Sequence, residues 1–197
     1  MTRRRPHDFY ETPAAVTDAL LAVLPLEPGA LVYEPCVGDG AIVRRLPAGC
    51  SVRTNDRDRA RPADTTHDAT TAAAWTLTPA PAWVITNPPF RAAFPIAVRA
   101  CGVATAGVAL LVRLSFLEPT RERGAWLAAH PPDLVRVLPR PSFTGDGRTD
   151  AVTVAWLVWY AAGTTGPRGM QIVPVPGSES GELFDASTIV VDTNIAS

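Results

Sequence analysis

The most informative part of the sequence is Val84-Ile85-Thr86-Asn87-Pro88-Pro89-Phe90, where a short apolar run meets a rigid polar turn. The apolar run is typical of a buried strand in a parallel sheet. Because each proline fixes its own φ and restricts the residue before it, the turn holds the Asn87 amide, the Pro88 carbonyl and the Phe90 ring close together. Two oxygen acceptors beside an aromatic ring suit a flat group that carries an amine.

On both sides of this turn the sequence alternates between helix-like and strand-like patterns. Apolar residues at helical spacing predict helices over residues 14–24, 41–46, 91–101 and 120–130. Apolar, β-prone runs predict strands over residues 30–33, 51–54, 106–114, 134–138 and 151–160. This alternation predicts an α/β fold with a doubly wound, mostly parallel sheet. The connection between Asp56 and Asp68 is too short for a full crossover helix and strand, so we expect a shortened one.

A glycine loop follows the first predicted strand and reads Glu34-Pro35-Cys36-Val37-Gly38-Asp39-Gly40. Gly38 and Gly40 would let a ligand approach the backbone, and free N–H groups at the start of the next helix would attract an anionic group. The loop lacks both the dinucleotide-binding spacing and the lysine of a triphosphate-binding loop, so NAD and ATP are disfavoured. Asp56 follows the second strand, where a carboxylate can accept hydrogen bonds from both ribose hydroxyls.

Composition is typical of a globular protein. With 197 residues, 47% of them hydrophobic, the chain is long enough for one domain with a full core. It has neither a recognisable secretory signal nor an apolar run long enough to cross a membrane. Its three cysteines have no paired spacing and its three histidines are scattered. We therefore expect a cytoplasmic protein with reduced thiols, no metal site and no membrane partner.

Charge is distributed unevenly along the chain. All 18 basic residues are arginine, the net charge is -1, and the charged residues after Arg168 are all acidic. The last segment is also rich in Gly, Pro, Ser and Thr, so we predict a folded domain over residues 1–162 and a tail over residues 163–197. The tail either adds an edge strand or remains an acidic extension. The mildly basic remainder is compatible with phosphate groups but does not require them.

Three short motifs resemble those of one enzyme family. Residues 87–90 resemble the Asp/Asn-Pro-Pro-Tyr/Phe motif of the amino-group (adenine N6 type) DNA methyltransferases. Glu34-Pro35-x-x-Gly38-x-Gly40 is similar to that family's cofactor loop, and Tyr10-x-Thr12-Pro13 to its element before the first strand. The resemblance covers residues 8–160. It implies a seven-stranded Rossmann-like methyltransferase sheet that ends in an antiparallel hairpin, and S-adenosyl-L-methionine as the cofactor.

The resemblance also implies roles for individual residues. Asn87, Pro88, Pro89 and Phe90 would form the catalytic turn, in which the Asn87 side-chain oxygen and the Pro88 carbonyl accept both amine hydrogens of adenine. Phe90 would stack on the base, and Phe143, in a polar loop before the last strand, would clamp its other face. Glu34 would face the amino group of the methionine moiety. The full implied cofactor site consists of Tyr10, Thr12, Pro13, Glu34, Pro35, Gly38, Asp39, Gly40, Asp56 and Asp68.

Some of these residues have purely structural alternatives. Thr12 is a suitable N-cap for the helix over residues 14–24, with Pro13 at its first position. Asp68 is a suitable cap for residues 69–75, and this role is compatible with cofactor binding. Phe143 could instead pack back onto the core.

The implied reaction is methyl transfer to the N6 amine of adenine in DNA, after the base has been flipped out of the duplex. RNA adenine and protein glutamine methyltransferases share the Asn-Pro-Pro turn and remain alternatives, as does a catalytically silent binding module of the same fold. DNA is the expected partner. Because the sequence contains no separate target-recognition region, the enzyme would be weakly selective or would rely on a homodimer or an accessory recognition protein.

Overall fold

The computed structural model describes residues 11–140 and 152–175, which form a seven-stranded sheet with helices on both faces. The strands are β1 Leu31–Glu34, β2 Ser51–Thr54, β3 Trp83–Thr86, β4 Gly107–Arg113, β5 Leu134–Val137, β6 Val154–Tyr160 and β7 Gly169–Ile172. The α-helices are α1 Ala14–Leu21, α2 Ala93–Val103 and α3 Arg121–Ala129. Short 3-10 turns cover Val43–Arg45, Ala72–Trp75 and Leu114–Leu117. None of the helices in these two ranges is long and apolar enough to cross a lipid bilayer.

The sheet is mixed, with the strand order β2-β1-β3-β4-β6-β5-β7. All neighbouring strands are parallel except the two pairs that contain β6. Six strands therefore run in one direction, and β6 lies between β4 and β5 in the opposite direction. The predicted α/β class and the antiparallel pairing of β5 with β6 are confirmed, but the sheet does not end with this pair, because β7 follows at the edge and is parallel to β5.

Apolar side chains of the central strands pack on both faces of the sheet. On β3, Val84 points to the face covered by α2, whereas Trp83 and Ile85 point to the face covered by α1. The side chains of β4 alternate in the same way, with Leu110 on the α2 face and Leu111 on the α1 face. Because both faces are covered, these strands are apolar at nearly every position, which explains why they were recognisable in the sequence.

The resemblance implies a further strand at Asp68, between β2 and β3, and the structure has none there. The shortened connection is confirmed, because residues 57–68, all of them described, form no helix, but no strand forms near Asp68 either. A single parallel bridge between Asn55 and Thr65 takes its place. The buried Asn55 side chain closes this loop, since its Nδ2 donates to the carbonyls of Pro35 and His67 at 3.0 and 2.9 Å. The implied number of seven strands is reached only through β7.

Strand β7 lies in the part of the chain that the sequence predicts as a tail. It pairs in parallel with β5, with Leu134 opposite Gly169 and Val137 opposite Ile172. Of the two alternatives for this segment, an edge strand is the one observed over the described residues 163–175. Its Met170 and Ile172 side chains are exposed.

The predicted helix over residues 41–46 is reduced to a 3-10 turn, Val43–Arg45. Ile42, just before this turn, is buried on the α1 face of the sheet. The chain then reaches Leu46 in extended conformation and turns toward β2. The segment is too short for a stable α-helix, so packing decides its conformation.

Gly107, at the start of β4, allows a close contact in the core. A Cβ atom there would lie 2.6 Å from a ring carbon of Trp83 and 2.7 Å from the carbonyl oxygen of Trp159. Because neither neighbour can move freely, we expect Gly107→Ala to lower the free energy of unfolding by about 1–3 kcal/mol. Gly102→Ala in α2 is the control, since no described atom outside its own helix lies within 4 Å of the position that a Cβ would take there. Urea unfolding with equal midpoints for both variants would contradict this packing.

Candidate active site

A cavity of about 700 Å³ opens at the carboxyl ends of β1, β2 and β3. From β1 the chain passes to β2 on one side, whereas β3 pairs with β1 on the other side, so the strand order reverses here. Ligands of doubly wound sheets bind at such a switch point. The predicted residues that line the cavity are Thr12, Glu34, Pro35, Gly38, Asp39, Asp56, Asp68, Asn87, Pro88, Pro89 and Phe90.

Four predicted residues are not part of this lining. Pro13 and Gly40 lie beside residues that line the cavity but do not line it themselves. Tyr10 and Phe143 lie outside the described residues. All other predicted site residues, which come from motifs far apart in the sequence, line this one cavity.

The glycine loop has a different hydrogen-bonding role from the one expected. Gly38 and Gly40 have φ values of 54° and 76°, which favour glycine. The Gly38 N–H donates to Asp56 Oδ2 at 2.9 Å, and the Gly40 N–H donates to the Val37 carbonyl at 2.8 Å. Both glycine amides therefore already have acceptors, and the predicted helix, whose free N–H groups were expected to attract an anionic group, is only a 3-10 turn.

Asp56 is fixed at the end of β2 by two backbone donors. Its Oδ2 accepts from Gly38, and its Oδ1 accepts from the Asp58 N–H at 2.9 Å. A carboxylate can accept about four hydrogen bonds, so this one retains the capacity to bind ligand hydroxyls. The contact with Gly38 ties the loop after β1 to the loop after β2.

Glu34 is a buried carboxyl group in the cavity wall. Only 2% of the residue is exposed, and its Oε2 has no hydrogen-bond partner within residues 11–140 and 152–175. Burial raises the pKa of Glu34 well above its usual range, and the nearby Asp56 carboxylate adds to this effect. Burial is also the main cause that raises the pKa of the Cys36 thiol, and the nearby carboxyl groups of Asp56 and Glu34 raise it further. A cationic ligand group beside Glu34 would supply the missing partner.

Asp68 bonds to the turn that follows it instead of capping a helix as predicted. Its Oδ1 accepts from the Thr70 N–H at 2.9 Å and from the Thr70 hydroxyl at 2.8 Å. These hydrogen bonds lower the pKa of Asp68. The residue caps a turn rather than a helix over residues 69–75, because only a 3-10 turn forms there. Its role in cofactor binding stays a prediction.

Thr12 contacts the Asn87–Phe90 turn instead of capping a helix. Its Oγ1 accepts from Asn87 Nδ2 at 3.0 Å, and Thr12 is almost fully buried. Helix α1 begins at Ala14 with Pro13 as the N-cap residue, and the Pro13 carbonyl accepts from the Val16 N–H at 2.9 Å. The predicted capping role of Thr12 and the predicted helical position of Pro13 are therefore wrong.

Comparison with known proteins shows similarity of fold but not of sequence family. No protein-family model matches the chain, and neither does any curated protein. The methyltransferase subunit of a type I restriction-modification system from Streptococcus thermophilus aligns with a TM-score of 0.60 and 14% identity over 78% of this chain and 45% of that chain. A dimethyladenosine transferase from Plasmodium falciparum aligns with a TM-score of 0.58 and 13% identity over 77% and 62% of the two chains.

A third structure is the E. cuniculi Mtq2–Trm112 complex, whose name describes methylation of the translation termination factor eRF1. It aligns with a TM-score of 0.53 and 16% identity over 75% of this chain and 93% of that chain. The chain has the methyltransferase fold. It spans less than two thirds of the length of the two neighbours described first.

In this methyltransferase fold the contact between Thr12 and Asn87 can be tested directly. We expect Thr12→Val to lower the turnover of the reaction proposed below roughly tenfold, because the Asn87 amide loses the acceptor that orients it. Thr17→Val is the matched control, since Thr17 is also fully buried and its Oγ1 has no partner in the described ranges. Steady-state kinetics and thermal unfolding of both variants provide the comparison. Equal turnover in the two variants would show that the hydrogen bond does not orient Asn87.

Two residues at this end of the methyltransferase sheet had not been predicted from the sequence. Asn55 closes the loop after β2, and Arg113 lies with its guanidinium carbon 4.2 Å from the centre of the Phe90 ring. Neither belongs to a recognisable motif. The one local indication for Arg113 was a charge at the end of a long apolar strand.

Proposed function

We propose that this protein is an S-adenosylmethionine-dependent methyltransferase that methylates the exocyclic N6 amine of adenine in DNA. The observation that carries this proposal is the shared cavity of the Asn87–Phe90 turn and the buried Glu34 at the switch point of a methyltransferase-fold sheet. For methyl transfer, residues 87–90 and the loop after β1 must face one another. The fact that both segments line one cavity supports the proposal.

The cavity fits the cofactor in charge and in donor and acceptor chemistry. Its acidic lining residues are Glu11, Glu34, Asp39, Asp56, Asp58 and Asp68, and its basic ones are Arg57, Arg59, Arg61 and Arg91. This acidic excess suits a ligand that carries both an ammonium and a sulfonium group. Glu34 Oε2 lacks a partner among the described residues and would accept from the ammonium group, while Asp56 would accept from ribose hydroxyls. When bound, the cofactor supplies an electrophilic methyl group.

The catalytic turn would act by orientation and fixed dipoles. The Asn87 side-chain oxygen and the Pro88 carbonyl would accept the two amine hydrogens, which localises the nitrogen lone pair that is otherwise delocalised into the ring. Thr12 would hold the Asn87 amide in the required orientation through its hydrogen bond to Nδ2. The described lining of the cavity contains neither histidine nor lysine, and this mechanism requires neither as a base.

Exposed arginines at the cavity favour a nucleic acid over a protein substrate. Arg57, Arg59 and Arg91 line the cavity and are exposed, and none forms an ion pair within the described residues, although Arg57 is close enough to Asp68 to lower its pKa. Arg61, in contrast, pairs with Asp39 and Asp58. Guanidinium groups that are not neutralised by the protein suit backbone phosphates. The base would be flipped into the site and would stack on Phe90.

Transfer of a radiolabelled methyl group tests the proposal. The substrates are duplex DNA free of N6-methyladenine, RNA of mixed sequence, and a protein extract depleted of nucleic acid. We expect DNA to take up the label, and we expect nuclease digestion to release the label as N6-methyladenine. Label in RNA or in protein alone would favour one of the alternative substrates. Cofactor binding by calorimetry without transfer to any substrate would favour a silent binding module.

A further inference from the structure

Arg113 lies directly beside the catalytic turn. Parallel pairing of β3 with β4 ends at Thr86 opposite Leu110, and β4 continues to Arg113 after the chain of β3 has turned away into Asn87. The antiparallel neighbour β6 supports this extension, since Arg113 pairs with Val154. The sheet therefore brings one arginine to the level of Phe90.

The guanidinium of Arg113 contacts the Phe90 ring closely. Its Cζ lies 4.2 Å from the ring centre, compared with 5.4 Å for Arg123 over Phe116 and 5.5 Å for Arg168 over Tyr160. Cations within about 6 Å of a ring centre are attracted by its π electrons. The contact at Phe90 is therefore in the range of direct packing.

Arg113 has little other stabilisation in the described structure. The residue is partly buried, and its Nε is fully buried without a hydrogen-bond acceptor in residues 11–140 and 152–175. No carboxylate of these residues forms an ion pair with it. A buried donor without an acceptor lowers stability. Within the described residues, the contact with the Phe90 ring is therefore the interaction that fixes the position of the Arg113 guanidinium.

Phe90 lines the cavity, whereas Arg113 does not. We propose that Arg113 is a positioning residue that holds one face of the Phe90 ring, so that the other face receives the flat substrate group. This inference rests on the proposed function and extends it to a residue outside the catalytic motif. Through Phe90, Arg113 would affect how well the target base is held rather than how fast the methyl group is transferred.

Kinetics of Arg113→Met test this inference, with the DNA free of N6-methyladenine as substrate. Methionine keeps much of the side-chain volume but removes the cation. We expect KM for DNA to rise roughly tenfold, with a smaller change in kcat and unchanged cofactor binding. Arg113→Lys should restore part of the loss, because lysine also interacts with a ring face. Arg123→Met is the matched control, since Arg123 and Phe116 do not line the cavity.

A double-mutant cycle separates positioning from a general structural effect. In a Phe90→Leu background, Arg113→Met should cause little further rise in KM, because the ring on which it acts is absent. Multiplicative effects of the two substitutions, or an unchanged KM in Arg113→Met with an active wild type, would overturn this inference alone. A wild type that methylates none of the tested substrates would overturn the proposed function and this inference with it.

Discussion

Asn87→Ala is expected to lower the rate of methyl transfer by about 100-fold or more, while cofactor binding stays within about threefold of the wild type. The reason is geometric. Asn87 directly follows β3 and lines the cavity, and its Nδ2 donates a hydrogen bond to Thr12 Oγ1 at 3.0 Å. Alanine removes one of the two acceptors that the proposed mechanism provides for the amine hydrogens.

Asn87→Asp provides the informative control for this prediction. Aspartate keeps acceptor oxygens at the same position and can accept from the Thr12 hydroxyl, so we expect activity within about tenfold of the wild type. Single-turnover transfer of labelled methyl groups measures the chemical step, and calorimetry measures cofactor binding. Equal rates for the wild type and Asn87→Ala would remove the catalytic turn from the mechanism.

Glu34→Gln is expected to weaken cofactor binding but to stabilise the ligand-free protein. Glutamine keeps the shape and can still accept a hydrogen bond, but it removes the negative charge that the proposed ammonium group requires. We expect the dissociation constant of S-adenosylmethionine to rise about 10- to 100-fold. The ligand-free protein should become more stable by about 1–3 kcal/mol at pH 8, because a buried charge without a full set of partners is removed.

The stabilising effect should depend on pH in a defined direction. Burial raises the folded-state pKa of Glu34 above its usual value of 4.5, so the folded protein holds this proton more tightly than the unfolded chain. Stability that comes from this proton is fully present below the unfolded pKa and is lost as pH rises through the folded pKa. Wild type and Glu34→Gln should therefore differ least at about pH 4 and most at about pH 8.

Thermal unfolding across this pH range, with and without cofactor, measures both effects. Each kcal/mol corresponds to about 2–4 °C in melting temperature for a domain of this size. Glu11→Gln is a suitable control, because Glu11 also lines the cavity but is exposed and paired with Arg44. A stability difference that stays constant with pH would mean that Glu34 does not titrate as its burial implies.

The sequence was most informative where local chemistry determines structure. The apolar runs of β3 and β4 are buried on both faces, so their composition alone indicates central strands. The Asn87–Phe90 turn was recognisable because two prolines restrict the backbone over a few residues. Strand β6 was equally clear, although its direction followed from the family resemblance rather than from its pattern.

Contacts between distant residues were the part that local patterns could not predict. Thr12 looked like a helix cap because capping preferences are local, but its hydroxyl bonds to Asn87, which is far away in the chain. The contact of Arg113 with Phe90 likewise depends on the register of β3 and β4. Asn55 had no visible role in the sequence, yet its buried amide takes part in closing the loop between β2 and β3.

That loop closure has a consequence for how such an enzyme could acquire selectivity. Residues 57–63 project between two fixed points, since the Thr54 N–H donates to Asp64 Oδ2 at 2.8 Å and Asn55 is bridged to Thr65. Extra chain grafted into this exposed segment would leave its anchors intact. It would also emerge beside Arg57 and Arg59 at the cavity. Under the proposed function, this segment would therefore be a suitable insertion point for a module that reads the bases around the target.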